Sequence, residues 1–246
     1  MSLSRIIDGV AVLFFVGAIL HLVTGCVRAP TSPGPADHTL AVLQVDTLRV
    51  VCGAVQVGPR TAVTALHCAH NAALTSAERV EYGYAAEKGQ SPVGGRRLPV
   101  ERRSHWWGLP SDDEWVTVTE VAPADDLALL QTAPVEHWAH VAQRPAVGGV
   151  RVVMWHHGEG RPWQYSTGQL DTIPVLNRPL GVAALPSSRG QSGGGIWLLT
   201  GELTGIVVAG KVGRIGVTYA DVRAVLRLLE GRPSKVAPPQ SLPSEG

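Results

Sequence analysis

From Leu40 onward the chain breaks into short runs rich in valine, leucine and threonine, punctuated by glycine, proline and asparagine. The runs fall at 40–45, 48–57, 61–66, 79–84, 97–102, 115–121 and 127–131, then at 149–155, 163–173, 180–185, 195–200, 204–208 and 214–218. Many short strands at this spacing, with no helical period between them, predict an all-β barrel or sandwich. Residues 132–148, with Pro134, Pro145 and paired glycines, interrupt the pattern, so two β-subdomains joined by a connector are expected: 40–132, 133–148 and 149–230. Only 219–229 carries a helical period, with Val222, Val225, Leu226 and Leu229 on one face, and predicts one closing amphipathic helix. The proline-rich end, 231–246, reads as a disordered tail.

Composition narrows the partners. With 246 residues, a net charge of +1 and 45% hydrophobic residues, the chain has material for one large domain or two small ones, and nothing in its charge points to nucleic acid. Residues 1–25 stand apart: Arg5 and the amino terminus precede an apolar stretch, Gly9 to Leu20, of the length expected for an export signal. Val23-Thr24-Gly25-Cys26 resembles the lipobox of bacterial lipoproteins, which implies cleavage before Cys26 and acylation of that cysteine. An uncleaved anchor is the alternative, since about 17 apolar or small residues before Cys26 sit at the lower limit of a span. Either route holds the chain at a cell-envelope membrane with its folded part outside the cytoplasm, and 26–39, with three prolines between Val27 and His38, reads as a linker that keeps it clear of lipid.

Export also bears on the cysteines. Of three, Cys26 belongs to the lipobox, and Cys52 and Cys68 remain as a disulfide pair. Such a bridge closes a loop of roughly 15 residues, worth about 3 kcal/mol if it acts by restricting the unfolded chain. It would steady the strand and turn that carry His67. A metal reading of His67, Cys68 and His70, or of the later histidine pairs, matches no strong zinc spacing.

Ser192 lies in Ser188-Arg189-Gly190-Gln191-Ser192-Gly193-Gly194-Gly195, one serine among glycines that let the backbone turn sharply and bring N–H groups close to a substrate carbonyl. A serine hydroxyl needs a histidine to take its proton and a carboxylate to orient that histidine. Gly190-Gln191-Ser192-Gly193-Gly194 also fits the G-x-S-x-G elbow of α/β-hydrolases, but those place the histidine after the serine, and the last histidine here is His157. Subtilisin order needs an acid before the histidine; Asp46 is available, yet no small-residue helix start surrounds Ser192. The order His, Asp, Ser remains, and Ala124-Asp125-Asp126-Leu127-Ala128-Leu129-Leu130 offers two carboxylates at the mouth of an apolar strand.

Together, Ala65-Leu66-His67-Cys68, Asp126-Leu127-Ala128-Leu129-Leu130 and Gly190-Gln191-Ser192-Gly193-Gly194, with Cys52 sixteen before Cys68, resemble the trypsin/chymotrypsin-like serine proteases over about 50–229. The resemblance implies two packed six-stranded antiparallel β-barrels with a C-terminal helix, and a serine endopeptidase that cleaves protein or peptide substrates through an acyl-enzyme. It implies Ser192 as nucleophile, His67 as general base then acid, Asp126 as orienting carboxylate, and the Gly190 and Ser192 N–H groups as oxyanion hole. Pro186, Ser187, Val208, Gly210 and Gly216 fall at positions that shape the pocket for the residue before the scissile bond. No metal or organic cofactor is needed.

Three departures from the family pattern carry expectations of their own. Gln191 replaces the aspartate that pairs with a new amino terminus after zymogen cleavage, so a domain competent without cleavage is expected. Val208 replaces a serine that often hydrogen-bonds the triad aspartate. Pro186 stands near the position that carries an acid in trypsin-like pockets, which implies small or apolar side chains before the scissile bond. Two other function classes share the motif set: a protease-fold binding protein without turnover, and a serine esterase. Trp106 and Trp107 choose between none of these.

Overall fold

A computed structural model describes residues 34–78, 93–102, 114–157, 163–171, 180–210 and 213–231. Residues 1–33 with Cys26, the run at 79–84, the Trp106–Trp107 pair and the tail beyond 231 lie outside the described residues. Among the described residues no helix is long and apolar enough to cross a membrane.

Two six-stranded antiparallel sheets form the domain. The first is a closed barrel of β1 (Thr39–Leu43), β2 (Val50–Gly58), β3 (Thr61–Ala65), β4 (Arg97–Arg102), β5 (Trp115–Ala122) and β6 (Leu127–Gln131), in the order β1-β2-β3-β6-β5-β4. The second holds β7 (Arg151–His157), β8 (Trp163–Gln169), β9 (Leu180–Pro186), β10 (Gly195–Leu198), β11 (Leu203–Gly210) and β12 (Ile215–Asp221), in the order β8-β7-β10-β11-β12-β9. Its end strands approach through the Leu170–Ala183 bridge and the Asp171 N–H donating to Val182 O at 2.7 Å, so it is nearly closed. Closure removes the free edges that would otherwise pair with other chains.

Each barrel has its own interior, and one apolar cluster runs between them. Met154, Leu185, Ile196, Val207 and Tyr219 pack inside the second barrel. The larger cluster joins first-barrel residues such as Leu40, Val55, Leu98 and Leu130 to Trp197, Leu203 and Ile206 from the second. Burial at roughly 25 cal/mol per Å² of apolar surface makes this seam the main force that docks the barrels. Helix α2 (Val222–Leu229) closes it, with Val222, Val225 and Leu228 buried. Asp221 caps the helix by accepting the Arg223 N–H at 2.9 Å, which satisfies one of its free donors.

Among the described residues, besides shifts of strand bounds, two elements depart from the sequence reading. Residues expected to be linker already belong to the barrel: a 3-10 turn at Pro35–His38 buries Ala36 and His38, and the Thr39 hydroxyl donates to Pro35 O at 2.9 Å. Pro35 presets the first turn's φ, a local signal that the proline count of the linker obscured. A second helix, α1 (Leu66–Ala73), follows β3 where a turn was expected. It is only eight residues long, too short for a period to emerge from Leu-His-Cys-Ala-His-Asn-Ala-Ala, and its alanines favour helix without announcing a face. It is this helix that carries His67.

Candidate active site

His67 sits in the first turn of α1, and its orientation is set from two directions. Asp126 takes the His67 N–H on Oδ1 at 3.0 Å and holds Nδ1 against Oδ2 at 2.6 Å. The Asp126 backbone carbonyl also accepts from the Leu66 N–H at 2.8 Å, so the aspartate grips both the backbone and the ring of the helix start. Asp126 makes all three contacts from φ +52°, a left-handed conformation that aspartate tolerates better than most residues. Among the described residues both hydrogen bonds on the Asp126 carboxylate come from His67. With Val208 in β11, the second barrel adds no hydroxyl there.

Asp125, the other carboxylate of the pair, faces inward. It is 2% exposed and meets Arg227 of α2 at 3.3 Å, so it ties the closing helix to the turn that presents Asp126. Adjacent aspartates thus have separate tasks.

On the other side of His67, Cys68 is bonded to Cys52 with 5.8 Å between their Cα atoms. The ligand atoms of Cys52, His67 and Cys68 lie within 4.8 Å of one another, but both sulfurs are spent in the bridge, so no thiolate is left to bind a metal. His67 Nε2 stands 3.6 Å from Cys68 Sγ.

Ser192 comes from the loop between β9 and β10 and is held by backbone across the seam. Its carbonyl accepts the Gly53 N–H of β2 at 2.7 Å, one residue from Cys52. Gly193 adopts φ +78° and donates to Val207 O at 2.7 Å; a Cβ there would lie 2.0 Å from Gly53 O and 2.5 Å from Thr64 Oγ1. Only glycine fits between the barrels at this point. Gly190 turns at φ +85°, and the buried Gln191 braces the loop by accepting the Ser188 N–H on Oε1 at 2.8 Å. Gln191 therefore serves as a neutral internal strut where the family pattern has a charged one.

His67, Gly190 and Ser192 line one cavity of about 380 Å³. Of the residues expected to shape the pocket, Ser187 and Gly210 line the cavity, with Val207, Ala209 and Val217 beside them. Pro186, Val208 and Gly216 lie outside that lining. Pro186 and Gly216 lie at the Ile215–Pro186 end of the β9–β12 ladder, and Val208 turns into the seam core at a bulge in β11. At Gly210 the Ser187 hydroxyl lies 2.2 Å from where a Cβ would be and fills that space. Sequence reasoning passed over Gln44, Arg49, Asn71 and Arg189, which also line the cavity. Arg49 lies three residues before Cys52, a spacing that could have drawn attention to it.

The Trypsin family model matches residues 28–228. The chain belongs to the trypsin family. No curated protein sequence matches it. Among solved structures it is similar to the Rv3671c protease from M. tuberculosis in its active form, with a TM-score of 0.58 and 17% identity over 89% of each chain. It is also similar to the serine endoprotease from Yersinia pestis, with a TM-score of 0.62 and 15% identity over 83% of this chain and 68% of that one. The MamO protease domain from Magnetospirillum magneticum gives a TM-score of 0.55 and 16% identity over 80% and 98%. At these identities the solved structures establish the fold of this trypsin-family chain.

Proposed function

We propose that this trypsin-family protein is a serine endopeptidase with His67, Asp126 and Ser192 as its triad. The observation that carries the reading is the 2.6 Å pairing of His67 Nδ1 with Asp126, which leaves Nε2 as the ring's proton acceptor in the cavity that Ser192 also lines. Ser192 Oγ attacks a peptide carbonyl and passes its proton to His67 Nε2, while Asp126 stabilises the imidazolium. Gly190 and Ser192 N–H groups receive the developing oxyanion, a contribution typically worth 10²–10³ in rate per donor, or about 3 kcal/mol. His67 then gives the proton to the leaving amine, and water, activated by the same histidine, hydrolyses the acyl-enzyme.

The pocket wall of Ser187, Val207, Gly210 and Val217 has no charge, and a buried lysine or arginine of a substrate would lack a partner there. Small or apolar side chains before the scissile bond follow. Because a neutral Gln191 stands where the family pattern has the aspartate that pairs with a new amino terminus, activity requires no internal cleavage. The amino-terminal segment, through Cys26 or an uncleaved anchor, ties the domain to the cell-envelope membrane on its extracytoplasmic side.

A fluorophosphonate probe tests the nucleophile on the oxidised chain. Covalent labelling that is lost in both Ser192→Ala and His67→Ala is expected. A folded wild type that does not label would overturn the reading. That outcome would favour a second reading, a protease-fold binding protein without turnover; labelling with ester but not peptide hydrolysis would mark an esterase.

A further inference from the structure

Resting on the peptidase reading above, we propose that the cleft selects peptides carrying an acidic side chain in the first two positions after the scissile bond, and that Arg49 and Arg189 read that charge.

The direction of a bound peptide follows from the reacting groups. The residue before the bond must place its carbonyl oxygen at the Gly190 and Ser192 N–H groups, so its side chain faces the uncharged second-barrel wall of Ser187, Gly210 and Val217. The leaving amine must collect its proton from His67 Nε2, which lies 3.6 Å from Cys68 Sγ. The residues after the bond therefore pass over the Cys52–Cys68 bridge. Beyond Cys52 the cavity wall continues along Val51 and Val50 to Arg49, while Arg189, next to Gly190, lines the same cavity from the second barrel. Among the described residues that line this cavity none is acidic. A peptide leaving this way meets two guanidiniums, whose planar N–H forks match a carboxylate.

The backbone before Arg49 argues that its position is built rather than incidental. Among the described residues two non-glycines have left-handed φ: Asp126, which orients His67, and Leu48 at φ +52°. For a leucine this conformation is strained and persists only where its surroundings over-determine it, a pattern that concentrates at functional sites. Here the turn is closed twice, by the Leu48 N–H donating to Gln44 O at 2.9 Å and the Gln44 N–H donating to Arg49 O at 2.9 Å. Gln44 and Arg49 both line the cavity, so the strained turn presents its arginine to the cleft.

The test separates charge reading from catalysis. Three labelled peptides, alanine throughout except for Glu, Ala or Lys at two successive central positions, are titrated against the full oxidised chain carrying Ser192→Ala. The Glu peptide is expected to bind about three- to tenfold more tightly than the Lys peptide, the scale of exposed ion pairs, and the ratio should shrink at high salt. Arg49→Glu with Arg189→Glu should invert the order, and Arg49→Glu alone, at an exposed side chain, should remove most of the preference with a melting temperature near that of the parent. Equal affinities, no measurable binding of the Glu peptide, or a preference that survives the double reversal would each overturn the inference. Wild-type cleavage of the same peptides tests the peptidase reading, and its dependence on charge tests this inference. Cleavage without charge preference sinks this inference and leaves that reading standing, whereas charge-selective binding with no wild-type labelling or cleavage does the reverse.

Discussion

The two barrels hold their functional groups by different means. The first fixes His67 and Asp126 with side-chain and covalent devices: a two-point carboxylate grip, a helix start and a disulfide beside the imidazole. The second fixes Ser192 almost wholly through backbone, with a hydrogen bond to Gly53 across the seam, a glycine wedged against β2 and a neutral Gln191 strut. An acid–base pair must keep one ring orientation, which side chains can enforce. A nucleophile must present its hydroxyl while leaving neighbouring N–H groups open to an oxyanion, which favours a loop of small residues braced from behind. The serine's position is therefore a property of barrel docking, while that of the histidine belongs to one barrel.

The largest expected effect separates the adjacent aspartates. Asp126→Asn should leave the fold intact and lower kcat by about 10⁴, because the wrong imidazole tautomer would face Ser192. Asp125→Asn should instead weaken the Arg227 tie and lower stability by about 1–3 kcal/mol with kcat nearly unchanged. Denaturant midpoints and kcat, measured on both variants, check the division; a large kcat loss confined to Asp125→Asn would reverse it. Gly193→Ala tests the seam. Its Cβ would meet Gly53 O, so Ser192 should be displaced and fluorophosphonate labelling lost even where the first-barrel disulfide still forms. Normal labelling would show that the serine does not depend on docking against β2.

How much of this was legible in the sequence follows the same division. Strands announce themselves through runs of β-formers between turn residues, and β4 and β6 lie at the expected bounds. The Cys52–Cys68 pairing was also legible, because it depends on simple cysteine arithmetic. Helix α1 was not, since eight residues give less than the period needs, and the 3-10 turn before β1 was hidden among prolines that read equally well as linker. The choice between Asp125 and Asp126 came from family likeness; what sets it physically is a left-handed φ and an arginine 102 residues away, neither visible in a short motif. The cavity wall was least legible. Whether Gly210 opens space depends on the Ser187 rotamer across from it, and Arg49 reaches the cleft through a turn whose strain no propensity describes.

Removing the disulfide probes the first barrel's device directly. Cys52→Ser with Cys68→Ser should lower stability by about 3 kcal/mol through the unfolded chain. If the bridge also steadies the helix start, kcat should fall beyond what partial unfolding explains, because Gly53, which anchors Ser192, neighbours one sulfur and His67 neighbours the other. Activity per folded molecule, taken from active-site labelling of the native fraction, distinguishes the two. An unchanged value would make the bridge a stabiliser only and leave the Asp126 grip as the sole guide of the ring.

The smallest expected effect lies at the seam itself. His38, 7% exposed, packs against the Trp197 ring of β10 with centroids 6.3 Å apart, and among the described residues its Nδ1 has no hydrogen-bond partner. Burial holds its imidazole below the ordinary value of 6.5, Asp37 pulls the other way, and His137 and His140 add to the lowering. Below about pH 6.5 the unfolded chain therefore binds more protons than the folded one, so this contribution is full above that pH and is lost as pH falls toward the folded value. Urea midpoints between pH 7.5 and 5 should decline, and His38→Gln should flatten part of the decline without removing the seam contact. Since Trp197 belongs to the cluster that joins the barrels, protonation of His38 should loosen docking and disturb the backbone-held Ser192 before it disturbs His67 and Asp126. Near pH 5.5, loss of fluorophosphonate labelling ahead of loss of first-barrel structure would place the weak point at the seam; simultaneous loss would mean that the two barrels unfold as one unit and that their different holding devices do not translate into different stabilities.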